Sequence, residues 1–235
     1  MSEEHVPRPG PGGHVWWCVL PERCNYDLSL QAAMKVAYRM VQLGWTPLWA
    51  EYGRTDVTRQ GLALAFLEHS ANPNDTLVML DVDHEHPREV LERLAAHDVP
   101  VAAALNFRRG EPYQACAFRR SGVGDLHHLA SFPPGLHRMD ALGTGAIAIQ
   151  RRVFERLQAL GHVWFFKYEY GSPTDPLASP SEDMYFSKIC EEAGIEMYVD
   201  TTIVSPHITL GLIDQDTHEA YMADHPDAMG GTSPG

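Results

Sequence analysis

Apolar segments suited to buried β-strands alternate with helix-forming segments over the first 105 residues, and this alternation constrains the fold more than any other feature. Four segments have the composition of strands: His14–Leu20, Thr46–Glu51, Thr76–Leu80 and Val99–Leu105. Three segments between them have helical spacing of apolar residues: Leu28–Leu43, Val57–His69 and Pro87–His97. This order predicts an α/β domain with a mostly parallel sheet flanked by helices. Ligands of such sheets bind beyond the carboxyl ends of the strands.

The second half of the sequence is less regular. We expect strands at Tyr113–Phe118, Gly145–Ile149 and Glu196–Asp200, helices from Arg152 to Leu160 and from Ser181 to Gly194, and loop over much of Gly110–Pro134 and over Pro173–Pro180. The length of 235 residues suits one domain. We predict that this domain spans residues 14–210, with a nucleotide-binding half at 14–105 and an acceptor and catalytic half at 106–210, and that residues 1–13 and 224–235 are flexible tails.

Charge and composition exclude several classes of protein. The formal net charge is −13, which argues against a nucleic-acid binder because such proteins need a basic surface. An anionic substrate would need local help from a metal, an arginine or a helix N-terminus. No apolar run is long enough to cross a bilayer, and the N-terminus lacks the pattern of a signal peptide. The four scattered cysteines favour reduced thiols, and we expect a cytoplasmic protein.

The strand Thr76–Leu80 continues directly into Asp81-Val82-Asp83. Residues two apart in an extended segment point the same way, so both carboxylates can converge on one cation. Oxygen ligands of this kind favour Mg²⁺ or Mn²⁺. The alternative is an ordinary solvated turn, but the position of the motif at the end of a buried strand favours a metal.

Three further segments carry polar residues that also have ordinary structural explanations. Gly143-Thr144-Gly145 precedes a strand, where the glycines allow either close approach of a ligand or a simple turn. Glu182 and Asp183 lie in the first turn of a helix, where acidic side chains suit the dipole. His207 follows the last strand, and a single histidine is more often a packing or surface residue than a ligand.

The order of these segments resembles that of the nucleotide-sugar-dependent glycosyltransferases of the GT-A fold, and most closely the large inverting, family-two-like group. The resemblance covers about Val15–His207, and Thr58–Leu67 looks like the arginine-bearing helix of that group. It implies a Rossmann-type mixed, mostly parallel sheet. It also implies transfer of a sugar from a nucleoside-diphosphate sugar to a hydroxyl of a glycan, lipid or protein acceptor.

The same resemblance assigns roles in catalysis. Asp83 and His207 would bind the metal, Mn²⁺ or Mg²⁺, and Asp81 would contact the donor ribose or bind the metal through water. The ion would neutralise the charge that develops on the leaving diphosphate. Asp183 corresponds to the general base, with Glu182 as the second candidate. A base at this position implies inversion, although retaining enzymes of the fold also carry D-x-D.

The remaining predicted contacts surround this centre. The donor would lie near Pro21, Glu51 and the Gly143–Gly145 segment. Arg59 would pair with a phosphate or form a salt bridge that fixes the D-x-D loop, the alternative being an exposed helix arginine. Trp164 is our candidate on the acceptor side. We expect His84 and His86 to orient other groups or to face solvent.

Two other functions fit part of the pattern. A nucleotidyltransferase also uses paired carboxylates and a metal, but its first strand is normally followed by a glycine-rich loop with a lysine or arginine, which P-E-R-C-N-Y-D does not supply. A non-catalytic nucleotide- or sugar-binding module on the same fold would use Glu182 and Asp183 only to begin a helix.

Overall fold

The computed structural model of the protein describes residues 15–20, 27–48, 53–122, 124–169, 180–209 and 212–226, with the backbone alone for 15–20, 27–30 and 212. Pro21 and Glu51, the tail at 1–13, and nearly all of the loop predicted at Pro173–Pro180 lie outside these residues. None of the described helices is both long and apolar enough to span a membrane.

The helices and strands follow the predicted alternation in the first half. The strands are β1 Val15–Leu20, β2 Thr46–Leu48, β3 Thr76–Asp81 and β4 Val101–Leu105, and the helices are α1 Asp27–Leu43, α2 Thr55–His69 and α3 Val90–Ala95. The predicted third helix was too long. Pro87 forms a turn in which its carbonyl accepts a hydrogen bond from Val90 N, and the helix begins only there.

The second half contains more β-structure than expected. Its strands are β5 Ala117–Ser121, β6 Asp125–His128, β7 Leu136–Met139, β8 Ala141–Leu142, β9 Ala146–Gln150, β10 Met197–Val204, β11 His207–Ile208 and β12 Leu212–Ile213. Its helices are α4 Arg151–Ala159, α5 Glu182–Glu192 and α6 Gln215–Asp224. The strand predicted at Tyr113–Phe118 was placed too early, because β5 begins at Ala117 and forms a hairpin with β6 within the predicted loop.

The central sheet is mixed, with the order β2-β1-β3-β9-β4-β10-β7. Five strands run in one direction, whereas β9 and β7 run against their neighbours, so three of the six adjacent pairs are antiparallel. The sheet is therefore less parallel than the sequence pattern suggested. The reason is that β9 inserts between β3 and β4, which are consecutive in the predicted β-α-β unit.

The two faces of the sheet are covered by separate apolar clusters. Successive residues of a strand point to opposite faces. Accordingly, Leu77 and Met79 pack in the cluster that includes residues of α2, α4 and α5, whereas Val78 and Leu80 pack in the cluster that includes residues of α1 and α3. Because β3 is fully buried on both faces, its end is held rigidly, and so is the start of the D-x-D motif.

Candidate active site

A cleft of about 390 Å³ lies at the carboxyl ends of β3 and β4, where β9 begins and α5 starts. Nine of the residues predicted for the site line it: Arg59, Asp81, Asp83, Gly143, Thr144, Gly145, Glu182, Asp183 and His207. Trp164 does not line it and is 45% exposed, so the structure does not support a role for this residue inside the cleft.

Strand pairing brings the distant segments of the cleft together. The register of β3 against β9 places Ala146 opposite Leu80, and Asp81 N donates a hydrogen bond to Gly145 O at 2.8 Å. The Gly143–Gly145 segment is thereby fixed beside the D-x-D motif. This contact depends on the antiparallel insertion of β9.

The segment that follows β10 is joined to the D-x-D loop by backbone hydrogen bonds. Ile208 N donates to Asp83 O at 2.8 Å, and Glu85 N donates to Pro206 O at 2.9 Å. His84 and His207 form an antiparallel bridge, with ring centroids 3.9 Å apart. These contacts hold His207 against Asp83 although the two residues are 124 positions apart.

Asp83, His84 and His207 form a compact group of potential metal ligands. One ligand atom from each lies within 4.8 Å of the others. Asp83 Oδ1 is 2.9 Å from His84 Nδ1, and Asp83 Oδ2 is 3.2 Å from His207 Nε2. His84 was not predicted as a ligand, but its position next to Asp83 places its ring within the group.

Hydrogen bonding determines which ring nitrogens of His207 and His84 are free to bind a metal. His207 Nδ1 lies 2.8 Å from the Phe107 carbonyl, which can only accept, so Nδ1 carries the proton and Nε2 presents a lone pair when the ring is neutral. This is the arrangement in which metal-binding histidines are usually held. His84 Nε2 is buried and has no hydrogen-bond partner among the described residues. The nitrogen within hydrogen-bond distance of the Asp83 carboxylate is His84 Nδ1, and a buried Nε2 without a partner is a polar group that an absent ligand would satisfy.

The electrostatics of the group follow from burial and mutual hydrogen bonding. Burial lowers the pKa of His84 to about 4, although its hydrogen bond with Asp83 acts in the opposite direction. For Asp83, burial acts to raise the pKa, but the hydrogen bonds with His207 and His84 outweigh it and hold the pKa below its ordinary value. The group therefore presents an ionised carboxylate and at least one neutral imidazole, which is a donor set that suits a divalent cation.

His86 is buried and forms hydrogen bonds that connect the D-x-D motif to the segment after β10. Its Nε2 lies 2.8 Å from the Asp81 carbonyl and its Nδ1 lies 3.2 Å from Ser205 Oγ. Burial lowers its pKa to about 3, so the ring is neutral and donates to the carbonyl through Nε2. Both His84 and His86 are buried, so of the two predicted alternatives the solvent-facing one does not hold.

Arg59 connects the D-x-D strand to the first turn of α5. Its side chain is 2% exposed, and its Nη2 donates to both carboxylate oxygens of Asp81 at 2.8 and 2.9 Å. Nη1 donates to Thr144 O at 3.0 Å, and Nε lies 3.3 Å from Glu182 Oε1, within ion-pair range but not aligned as a hydrogen bond. The predicted salt bridge that fixes the D-x-D loop is present, with Asp81 as its partner, and the alternative of an exposed arginine was wrong.

Glu182 and Asp183 occupy different environments. Glu182 is buried beside Arg59, and burial raises its pKa, with the Asp183 charge acting in the same direction and Arg59 against it. Asp183 is partly exposed to the cleft, and its Oδ1 accepts hydrogen bonds from Met184 N, at 2.9 Å, and from the Ser181 hydroxyl. Tyr168 hydrogen-bonds to Glu182, and burial, followed by the charge of Glu182, raises the pKa of this phenol.

The two glycines of the Gly143–Gly145 segment have a packing explanation. A Cβ on Gly145 would lie 2.5 Å from Asn106 Nδ2 and 2.8 Å from His84 Nε2. A Cβ on Gly143 would lie 2.6 Å from the Cβ of Cys116. Neither position has room for a side chain, and the glycine at 145 allows the His84 ring to lie against the backbone.

Arg109 and Asn106 were not predicted to lie in the cleft, and Tyr168 had no specific predicted role there, but all three residues line it. Arg109 ion-pairs with Asp83 from an exposed loop, and no local pattern in the sequence marks this contact. For Asn106 a signal was available, because it directly follows the apolar strand β4, whose carboxyl end lies at the same edge as that of β3.

Comparison with known proteins identifies a shared fold. No protein-family model matches the chain, and no curated protein matches its sequence. Among solved structures, A197 from STIV is similar with a TM-score of 0.50 and 14% identity, over 83% of this chain and 86% of that chain. A mutant beta-1,4-galactosyltransferase 7 from Drosophila, in complex with manganese, UDP-Gal and xylobiose, gives a TM-score of 0.42 and 14% identity over 83% and 71% of the chains. The first likeness shows a common fold alone, and the second is too distant to support an argument.

Proposed function

We propose that this protein is a metal-dependent glycosyltransferase that moves a sugar from a nucleoside-diphosphate sugar to an acceptor hydroxyl. The observation that carries the proposal is the meeting of Asp83 and His207, 3.2 Å apart, in one cleft with the acidic first turn of α5. The GT-A resemblance in the sequence required this meeting of three distant segments. A fortuitous acidic turn after β3 would not require it.

The metal ligands that the geometry favours are Asp83, His84 and His207. Both oxygens of Asp81 already accept from Arg59, so Asp81 is better suited to fixing the loop than to binding the ion. Two imidazoles and one carboxylate suit Mn²⁺ better than Mg²⁺, which prefers oxygen ligands. When bound, the ion would neutralise charge on the leaving nucleoside diphosphate.

Asp183 is the favoured general base. Its carboxylate is accessible from the cleft and is oriented by the hydrogen bonds at the start of α5. Glu182 is buried and forms an ion pair with Arg59, so it is less suited than Asp183 to take a proton from an acceptor. In the proposed reaction the acceptor hydroxyl gives its proton to Asp183 while its oxygen attacks the anomeric carbon. The bond from that carbon to the diphosphate oxygen breaks, and the nucleoside diphosphate leaves with the bonding electrons.

The acceptor side of the cleft is better assigned to Tyr168 than to Trp164. Tyr168 lines the cleft and reaches Glu182, whereas Trp164 lies outside it. An aromatic ring with a polar end suits contact with a sugar, since its face is apolar and its hydroxyl can form a hydrogen bond.

The proposal is tested with a panel of nucleotide sugars in the presence of Mn²⁺, scoring released nucleoside diphosphate with and without a chelator. We expect release that requires the metal and that falls by about a hundredfold or more in Asp83→Ala, because the ion's charge stabilisation is lost. The matched control is Asp125→Ala, an exposed carboxylate on β6 outside the cleft.

Two results would contradict the proposal. Unchanged turnover in Asp83→Ala would show that the D-x-D motif does not serve catalysis. Binding of donors without any release, with acceptors supplied, would show a binding module on the same fold.

A further inference from the structure

We propose that Arg109 is an exchangeable cation of the metal site: it neutralises Asp83 when no metal is bound, and it moves to the diphosphate of the donor when the metal binds. This inference rests on the proposed function and assigns a donor-binding role to a residue of the loop after β4. The Arg109 side chain would thus have two alternative anionic partners, the Asp83 carboxylate and a phosphate of the donor.

The position of the guanidinium carries the first half of the proposal. Arg109 Nη2 donates to Asp83 Oδ2 and lies 3.5 Å from His207 Nε2. These are the same two atoms that approach each other at 3.2 Å in the candidate metal group. A divalent ion on this pair of atoms would need the space and the lone pairs that the guanidinium now uses, and the two positive charges would repel each other. The metal and Arg109 therefore compete.

The loop that carries Arg109 allows the side chain of this residue to move away from Asp83. The base of the loop is closed by backbone pairing, with Cys116 N donating to Asn106 O and Arg108 N donating to Gln114 O, both at 2.9 Å. Arg109 is the first residue beyond this paired base, and its side chain is 54% exposed although its partner Asp83 is buried. The side chain can thus change partner without disturbing the paired backbone.

The charges of the cleft determine where the guanidinium would go. Among the described residues, the arginines that line the cleft are Arg59 and Arg109. Arg59 is buried and already holds Asp81 and Glu182, so it is not available to a phosphate. In a protein with net charge −13, the diphosphate needs a further cation, and a guanidinium is well matched to phosphate oxygens.

The test compares wild type with Arg109→Gln and with Arg108→Gln. Arg108 is the neighbouring exposed arginine and does not line the cleft. Its substitution by glutamine makes the same change in net charge, so it serves as the matched control. Binding of Mn²⁺ is measured from the electron paramagnetic resonance signal of the free ion. Binding of inorganic pyrophosphate at saturating Mn²⁺ is then measured by calorimetry. Neither readout requires turnover.

The expected signature is a change of opposite sign for the two ligands. Arg109→Gln should bind Mn²⁺ roughly three to ten times more tightly, because a competing ion pair is removed. It should bind pyrophosphate about ten times more weakly, because a charge-assisted hydrogen bond is lost. Arg108→Gln should change both affinities by less than about twofold, since it removes an exposed charge that is screened by solvent and does not line the cleft.

The remaining outcomes each overturn a specific statement. Equal or weaker Mn²⁺ binding in Arg109→Gln than in wild type overturns the competition. Tighter Mn²⁺ binding with unchanged pyrophosphate binding overturns the transfer of Arg109 to phosphate. Absence of Mn²⁺ binding in the wild type overturns the metal centre of the proposed function and the exchange with it.

Discussion

Replacing Arg59 by methionine tests whether one buried guanidinium holds the candidate active site together. Methionine has a comparable unbranched side chain but no charge, so the substitution removes the guanidinium that pairs with the buried Asp81 and Glu182 carboxylates. Breaking a buried ion pair by removing one member costs about 3–5 kcal/mol. For a protein of 235 residues, this corresponds to a fall in Tm of roughly 6 to 20 °C.

The matched control is Arg138→Met. Arg138 also pairs with a glutamate, Glu196, but its side chain is 65% exposed and that of Glu196 is 50% exposed. An exposed pair contributes at most about 1 kcal/mol. Both variants are compared with wild type by thermal and urea unfolding. A loss of stability in Arg59→Met no larger than that in Arg138→Met would refute the argument from burial.

The dependence of this loss on pH provides an independent check. Burial raises the pKa of Glu182, and Arg59 partly opposes the rise. Removing Arg59 should therefore raise that pKa further. A carboxyl group whose pKa is higher in the folded than in the unfolded state binds more protons when folded, so its contribution to stability falls as pH rises. The destabilisation of Arg59→Met should be larger at pH 8 than at pH 5, and a smaller loss at pH 8 would refute the assignment.

Two further predictions concern the base and the glycine beside the metal group. Asp183→Asn should still bind Mn²⁺ and nucleotide in calorimetry, but its rate of sugar transfer should fall by about 10²- to 10⁴-fold. A larger fall in the transfer rate of Glu182→Gln would show that Glu182, and not Asp183, is the general base. Gly145→Ala should lower the free energy of unfolding by about 1–3 kcal/mol, because its Cβ would collide with the neighbouring side chains. The matched Gly61→Ala, in the interior of α2 with no atom within 4 Å of the new Cβ, should stabilise the protein by up to about 1 kcal/mol. Equal effects of the two alanines in urea unfolding would contradict the packing explanation.

The first half of the fold could be predicted from the sequence, and so could many of the residues that line the cleft. The apolar run of β3, followed at once by Asp81 and Asp83, determines by itself a buried strand with carboxylates at its end, because strand periodicity and burial are local properties. The acidic first turn of α5 is recognisable in the same way from Ser181. These features depend on neighbours along the chain.

The tertiary structure alone decided which of these segments meet and what each charge contacts. Insertion of β9 between β3 and β4 places Gly145 beside Asp81, and the backbone contacts after β10 place His207 against Asp83. No periodicity encodes these pairings, because they depend on how the whole sheet packs. For the same reason the sequence could suggest that Arg59 forms a salt bridge, but only the fold showed that Arg59 is committed to Asp81 and Glu182 and that Arg109 lies on Asp83.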